Sequence, residues 1–264
     1  MTRRGLTALL LLPLLGAASS ALAQPPAGAP APRSNWQLSV GPGVIVTPQY
    51  PGAADYQILP IPALDVSYRD RLFFTARRGL GAYAVNDRRN GLEIGGALWF
   101  RTARLERLDR ARLSGLGRIS AAPQLRGFVA KRFGTLTADA TAARDLGGTN
   151  GATLDLSVSH AERLGTRTFL RIGPSLSFGD ARFNRGFFGI TPAQAARSGR
   201  MTYPIGGGLY QVGVRGALIT PVGRRWTLAA FGGYDRLVGD AADSPVVART
   251  GAPSGGLALS YRLR

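Results

Sequence analysis

The chain has 264 residues, no cysteine, one histidine, 36 glycines and a formal charge of +18. Without cysteine there is no disulfide framework and no thiolate chemistry, and His160 alone cannot build a multi-histidine metal site. Every basic residue but Lys131 is an arginine, whose bidentate fork suits phosphate or carboxylate partners, although arginine-rich codon usage accounts for the Arg/Lys ratio equally well.

The N-terminus reads as a secretory signal peptide over residues 1–23. Met1-Thr2-Arg3-Arg4 is a basic lead, Leu6 to Leu15 is an apolar run broken by Pro13, and Ala21-Leu22-Ala23 precedes Gln24. The apolar run is too short for a spanning helix. Export makes nucleic acid a poor partner. Residues 24–34 read as a disordered lead-in. No later window holds 18 apolar residues, so no transmembrane helix is expected, and 35–264 is expected to form one domain.

From there on the pattern has period two. In YPGAADYQILPIP, Tyr50 to Pro62, an aromatic-Pro-Gly turn leads into a segment with Tyr56, Ile58, Pro60 and Pro62 on one face. Proline carries no ladder donor, so Pro60 and Pro62 predict a weakened or bulged pairing and a place where the sheet is locally open. Leu72 to Val85 reads as one strand, or as two if split at Arg77–Gly79. Further on, Leu136, Ala138, Ala140 and Ala142 oppose Thr137, Asp139 and Thr141. Leu154, Leu156 and Val158 oppose Thr153, Asp155 and Ser157. Leu170, Ile172, Pro174 and Leu176 oppose Arg171, Gly173 and Ser175. Leu257, Leu259, Tyr261 and Leu263 end the chain against Ala258, Ser260 and Arg262.

A soluble sandwich and a membrane barrel both alternate. The barrel is favoured because the polar face carries small and charged residues and most segments reach about ten residues, as tilted bilayer strands require. Trp36 and Trp226 at segment starts, and Trp99 toward an end, suit aromatic girdles. The fold expected is therefore all-β: a closed antiparallel transmembrane β-barrel of about 12 strands, with 10 or 14 also open. Without the split at Arg77–Gly79 the count is 11, and both termini on one side require an even number. Short turns fall at 69–71, 86–90, 132–135, 163–167 and 221–225. Long loops fall at 102–118, 180–205 and 240–251, with shorter ones at 48–55 and 146–151. In such barrels short turns are periplasmic and long loops external.

Several stretches resemble the MipA/OmpV family of outer-membrane proteins. GPGVIVTPQYPGAADYQILPIPALDVSYRD is similar to its opening, with the Pro-x-Tyr-Pro-Gly turn carrying Pro51 and Gly52. FNRGFFGITPAQAARSG, with Phe188, Gly189, Ser198 and Gly199, resembles its Phe-Gly-Val-Thr…Ser-Gly loop. YDRLVGDAADSPVV, with Ser244 and Pro245, resembles its Leu-x-Gly-Asp-Ala…Ser-Pro stretch, and LSGLG at 113–117 fits a further element. The resemblance implies localisation in the outer membrane of a Gram-negative bacterium, contact with outer-membrane lipid and lipopolysaccharide, and biogenesis through the barrel-assembly machinery. It also implies a scaffold that links a lytic transglycosylase and a murein synthase. Departures are the arginines around 101–118, where relatives carry acids, and the C-terminal Leu263-Arg264 in place of a terminal aromatic.

No catalytic constellation emerges. His160 lies beside Ser159 and Ser157, but strand neighbours point to opposite faces, and His160 shares the apolar face of Val158. Asp139, Asp145 and Asp155 are expected inward, as ion-pair partners of lumenal arginines such as Arg126 and Arg171. Arg101, Arg104, Arg107 and Arg110 fall three apart; on a helical turn they form a stripe able to hold lipopolysaccharide phosphates, and otherwise a solvated loop paired with Glu106 and Asp109. The motif loops are expected to pack on each other across the barrel mouth, with Phe187, Phe188 and Ile190 as apolar contacts. No cofactor or metal is expected. The leading reading is a non-enzymatic envelope scaffold; the alternatives are a narrow channel for small anionic solutes and a barrel enzyme that modifies lipid A or phospholipid.

Overall fold

A computed structural model describes residues 35–263, so the expected signal peptide and the lead-in to residue 34 lie outside the described residues. One antiparallel sheet contains β1 (Trp36–Val40), β2 (Pro42–Pro48), β3 (Tyr56–Pro62), β4 (Asp65–Tyr68), β5 (Leu72–Thr75), β6 (Gly79–Asp87) and β7 (Leu92–Arg101). It continues through β8 (Ala122–Phe133), β9 (Leu136–Asp145), β10 (Ala152–Leu164), β11 (Thr168–Gly179), β12 (Gly208–Val222), β13 (Trp226–Leu237) and β14 (Gly251–Arg262). β1 and β2 are one strand interrupted at Gly41: the first half pairs with β4 and β14, the second with β3 and β14. β3 and β4 are likewise halves of one strand. Joining the halves gives twelve strands, and the β14 pairings close the barrel. The expected split in Leu72–Val85 is present as the break between Thr75 and Gly79.

The alternation explains which face meets which medium. Leu125, Val129, Leu154, Val158, Ile172, Leu176, Val214, Leu218, Leu257 and Leu259 are exposed on the outer wall, while Gln124, Asp145, Thr153, Ser175 and Ser177 are buried in the lumen. An apolar exterior around a polar interior is stable only when hydrocarbon replaces water outside. Two aromatic pairs mark the short-turn end: Trp36 and Tyr68 with centroids 4.6 Å apart, and Trp226 and Tyr261 at 4.9 Å. Trp99 departs from the girdle expectation. It follows Leu98, which faces out, so its ring turns inward, lines the lumen and lies under the Arg126 guanidinium at 5.0 Å.

The β5–β6 hairpin breaks the expected strand length. β5 has four residues, and its turn at 76–78 sits halfway up the wall because Thr75 pairs with Asp65, not with a residue of β3. Gly79 makes this possible: its φ is +92°, and a Cβ there would lie 2.1 Å from the Leu98 carbonyl oxygen. Above the turn, β3 pairs only with β2, and β7 beyond Leu98 pairs only with β8. The wall is therefore unzipped between β3 and β7 over the half that carries the long loops.

Pro60 and Pro62 sit on that open edge, and the expected weakened pairing is corrected in one respect. The Ala63 N–H donates to Gly41 and the Gln49 N–H to Asp55, so odd-numbered residues of β3 are those that bond to β2. Even-numbered residues direct their backbone groups away from β2. The prolines thus remove no bond from the β2–β3 ladder; they remove donors that face the gap.

Candidate functional site

The long-loop end is closed by packed loops. Within the 102–121 loop lies α1 (Arg110–Leu113); the 180–207 loop carries α2 (Ala181–Phe188) and α3 (Pro192–Ser198). Asp180 caps α2 by accepting from the Phe183 N–H. α3 begins with a capping box of Thr191 and Gln194, has Pro192 in its first turn and ends on left-handed Gly199. One cluster holds Phe183, Phe187, Phe188, Tyr210 and Leu237; a second holds Tyr50, Ala53, Leu113, Leu116, Ile190 and Val246. Phe188 is fully buried, and its carbonyl accepts from the Ser244 hydroxyl at 2.6 Å. The Gly52 carbonyl accepts from Ala248 and Arg249, and Ser198 bonds back to the Gln194 carbonyl. Gly189 closes α2 onto Arg185, and Pro245 stays exposed between buried Ser244 and Val246. The geometry of these motif residues is that of loop packing. Phe188→Ala is expected to remove about 3–5 kcal/mol from the loop cluster, so trypsin should cut at Arg197 and Arg200 markedly faster while the barrel stays folded; unchanged cleavage would contradict this role.

Beneath the loops lies a cavity of about 320 Å³. Its floor is built from the short hairpin. Arg77 and Arg78 turn inward from the 76–78 turn to Asp139, at 2.9 and 3.4 Å, and Arg78 also reaches Glu93 at 2.9 Å. Arg78 stacks on Phe128 at 3.8 Å, over a cluster of Phe73, Tyr83 and Phe128 on the inner face of the wall. Higher up, Asp145 is buried and accepts from Arg101, Gln124 and Thr149, each at 2.9 Å. Asp139 and Asp145 are paired as the alternation requires, the first with Arg77 and Arg78 and the second with Arg101, whereas Asp155 is held by the Ser177 hydroxyl. Seven arginines and three aspartates line the cavity, so its formal charge is positive and it favours anions.

The arginine stripe does not form. Arg101 ends β7 and pairs inward with Asp145. Arg104 is 2% exposed, held in a bridge with Ile119, and donates to the Phe187 carbonyl at 2.8 Å. Burial lowers its pKa to about 10, so it remains charged at neutral pH. Arg107 and Arg110 are exposed on separate short helical turns. The chain between positions 101 and 110 changes from strand to bridge to 3-10 turn, and a helical repeat has nothing to act on. Asp109 instead accepts from the Tyr50 hydroxyl at 2.8 Å, and burial, reinforced by that bond, raises the Tyr50 pKa. Sequence reasoning missed this tie between two loops. It also missed the roles of Thr47 and Trp99 in the cavity; their only signal is the face they share with lumenal residues.

His160 faces outward and is exposed, 3.9 Å from Glu162, while Ser157 and Ser159 face in. Among the described residues no group of three His, Asp or Glu side chains is placed to hold a metal.

The family model described as MltA-interacting protein MipA matches residues 40–263. No curated protein matches the chain. Similar solved structures include a bacterial polysaccharide outer membrane secretin, with TM-score 0.43 and 10% identity over 87% of this chain and 98% of that one. Neisserial surface protein A has TM-score 0.26 and 11% identity, over 87% and 96%. A loop-deletion mutant of OmpT from Vibrio cholerae has TM-score 0.31 and 10% identity, over 86% and 98%. The sequence match spans nearly all of a closed barrel with an apolar outer wall: the chain belongs to the MltA-interacting protein MipA family and is an outer-membrane β-barrel of a Gram-negative bacterium.

Proposed function

We propose that the barrel is a non-enzymatic scaffold whose short-turn rim, in the periplasm, binds a lytic transglycosylase of the murein-processing machinery, with a murein synthase as second partner. The family description, MltA-interacting protein, supports the choice of partner. The observation that carries the reading is the charge of that rim. Arg88, Arg89, Arg163, Arg167, Arg224 and Arg225 are all exposed there, Arg88 paired with Asp70, and they outnumber the rim acids Asp70, Asp87 and Glu162. A rim of net positive charge steers an oppositely charged protein surface and makes binding depend on salt. The packed loops at the mouth favour a scaffold over a channel for small anions.

The test is binding of purified lytic transglycosylase to the mature barrel in detergent. Reversing Arg88, Arg89, Arg224 and Arg225 to glutamate is expected to weaken it tenfold or more, mainly through the association rate. Affinity that is insensitive to these reversals and to salt would sink the rim as the binding surface. Stable anion-selective conductance in planar bilayers would favour the channel reading, for which the lumenal arginines are the motivating observation.

A further inference from the structure

The cavity and the gap in the wall meet. The gap is bounded by β3 on one side and Trp99–Arg101 on the other. Below lies the turn at 76–78; above, the Tyr50–Asp109 hydrogen bond and the packing of Ala53 with Leu113 and Leu116 form a lintel. Both jambs contribute to the cavity lining, through Gln57 on β3 and Trp99, Phe100 and Arg101 on β7. Two absent strands at about 4.8 Å spacing correspond to roughly 10 Å of wall, wider than one hydrocarbon chain. The gap lies in the half with the long loops, which faces the outer leaflet.

Three observations point to the occupant. The first concerns the edge. An unpaired strand invites another strand, and prolines on its free side block that pairing. Pro60 and Pro62 stand at positions whose donors would face the gap, so the edge is kept open against protein. The second is the change of chemistry across the gap. Outside, Ile58, Leu80 and Leu98 are 70%, 58% and 51% exposed; inside, arginines dominate the lining. The third is unmet hydrogen bonding. The Arg104 side chain is 2% exposed, yet its Nε has no partner, and the Thr47 hydroxyl, also 2% exposed, has none. Both residues line the cavity. Arg126 donates to the Gln124 side chain and the Arg77 carbonyl, with no carboxylate in salt-bridge range among the described residues. Buried donors and unneutralised guanidinium groups call for an anionic acceptor.

We propose that the barrel binds a phosphorylated lipid of the outer leaflet through this lateral gap, with the phosphate held by Arg104 and Arg126 and the acyl chains against Ile58, Pro60 and Leu98. Binding is separate from the periplasmic rim, so it stands or falls independently of the scaffold reading.

The probe is bis-phosphorylated lipid A, presented to the full mature barrel in non-ionic detergent. A photo-crosslinking benzoylphenylalanine is placed either at Gln57, on the lumenal side of the gap, or at Leu154, on the outer face of the barrel. Lipid A adducts are expected at Gln57, at least tenfold fewer with dephosphorylated lipid A, and at least tenfold fewer when Arg104→Gln and Arg126→Gln are combined. Should that double variant fail to fold, Ala103→Trp fills the gap side of the cavity without removing a guanidinium, and is expected to abolish the Gln57 adduct. Adducts confined to Leu154 would overturn the proposal, as would equal labelling by the dephosphorylated lipid or a protein adduct at Gln57. Full competition by millimolar inorganic phosphate would reduce the site to one for free anions and equally overturn lipid binding.

Discussion

Gly41→Val is expected to prevent barrel closure. Gly41 separates the two halves of the first strand, where pairing with β4 gives way to pairing with β3 and both halves meet β14. A Cβ at this position would lie 1.8 Å from the Leu259 carbonyl oxygen and 3.0 Å from the Ser260 Cα. Those are backbone atoms of the strand that seals the barrel, so no rotamer change relieves the clash. The strands must separate at the seam, which exposes unpaired backbone groups to hydrocarbon at several kcal/mol each. The expected readout is loss of the heat-modifiable folded band on electrophoresis, and loss of β-sheet circular dichroism after refolding into detergent. Gly43→Ala is the matched control. Its Cβ would meet the Ile61 Cγ1 and the Leu257 oxygen, both at 3.0 Å, so a shift of a few tenths of an ångström suffices and the expected cost is about 1 kcal/mol. Equal folding of the Gly41→Val and Gly43→Ala proteins would refute the seam as the sensitive point.

Asp145→Ala is expected to destabilise the barrel by roughly 3–5 kcal/mol, because it breaks a buried pair and leaves the cation behind. The Asp145 carboxylate holds Arg101, Gln124 and Thr149 together. Without it, the Arg101 guanidinium keeps the Phe183 ring, 4.8 Å away, but no counter-ion among its observed partners. Three parts of the mouth loosen at once: the end of β7, the 146–151 turn and α2. Asp145→Asn preserves the shape and some of the hydrogen bonds but removes the charge, so an intermediate loss of about 1–3 kcal/mol is expected. Urea unfolding in detergent, monitored by tryptophan fluorescence, orders the three proteins. An alanine variant within 1 kcal/mol of the parent would show the pair to be dispensable, as buried pairs sometimes are.

The parts legible in the sequence are those with short-range causes. Leu154, Leu156 and Val158 against Thr153, Asp155 and Ser157 state a strand and its two faces, because side chains alternate with period two whatever the strand pairs with. Turn positions were equally local: the turns at 69–71, 88–91 and 223–225 fall at or within two residues of the expected 69–71, 86–90 and 221–225. The Arg101–Arg110 spacing misled for the complementary reason. A three-residue interval has meaning only on a helix, and this segment follows loop packing against Phe187 and Ile119. Trp99 misled because its place near a strand end says nothing about which way the ring turns; the exposed Leu98 beside it decides that.

Period-two alternation, loop lengths and the Pro-Gly, Phe-Gly and Ser-Pro loop motifs were enough for the barrel, its family and a count near twelve strands, since each depends on neighbours a few residues apart; the choice of twelve over ten or fourteen was decided by the pairings. The gap between β3 and β7, the floor where Arg77 meets Asp139 62 positions away, and the Tyr50–Asp109 lintel 59 positions apart depend on residues distant in the chain meeting across a closed wall. Pro60 and Pro62 show where the two kinds of information divide. Their missing donors are a property of the residue, and their harmlessness to the β2–β3 ladder is a property of register: the even-numbered side of β3 faces an edge that no strand occupies.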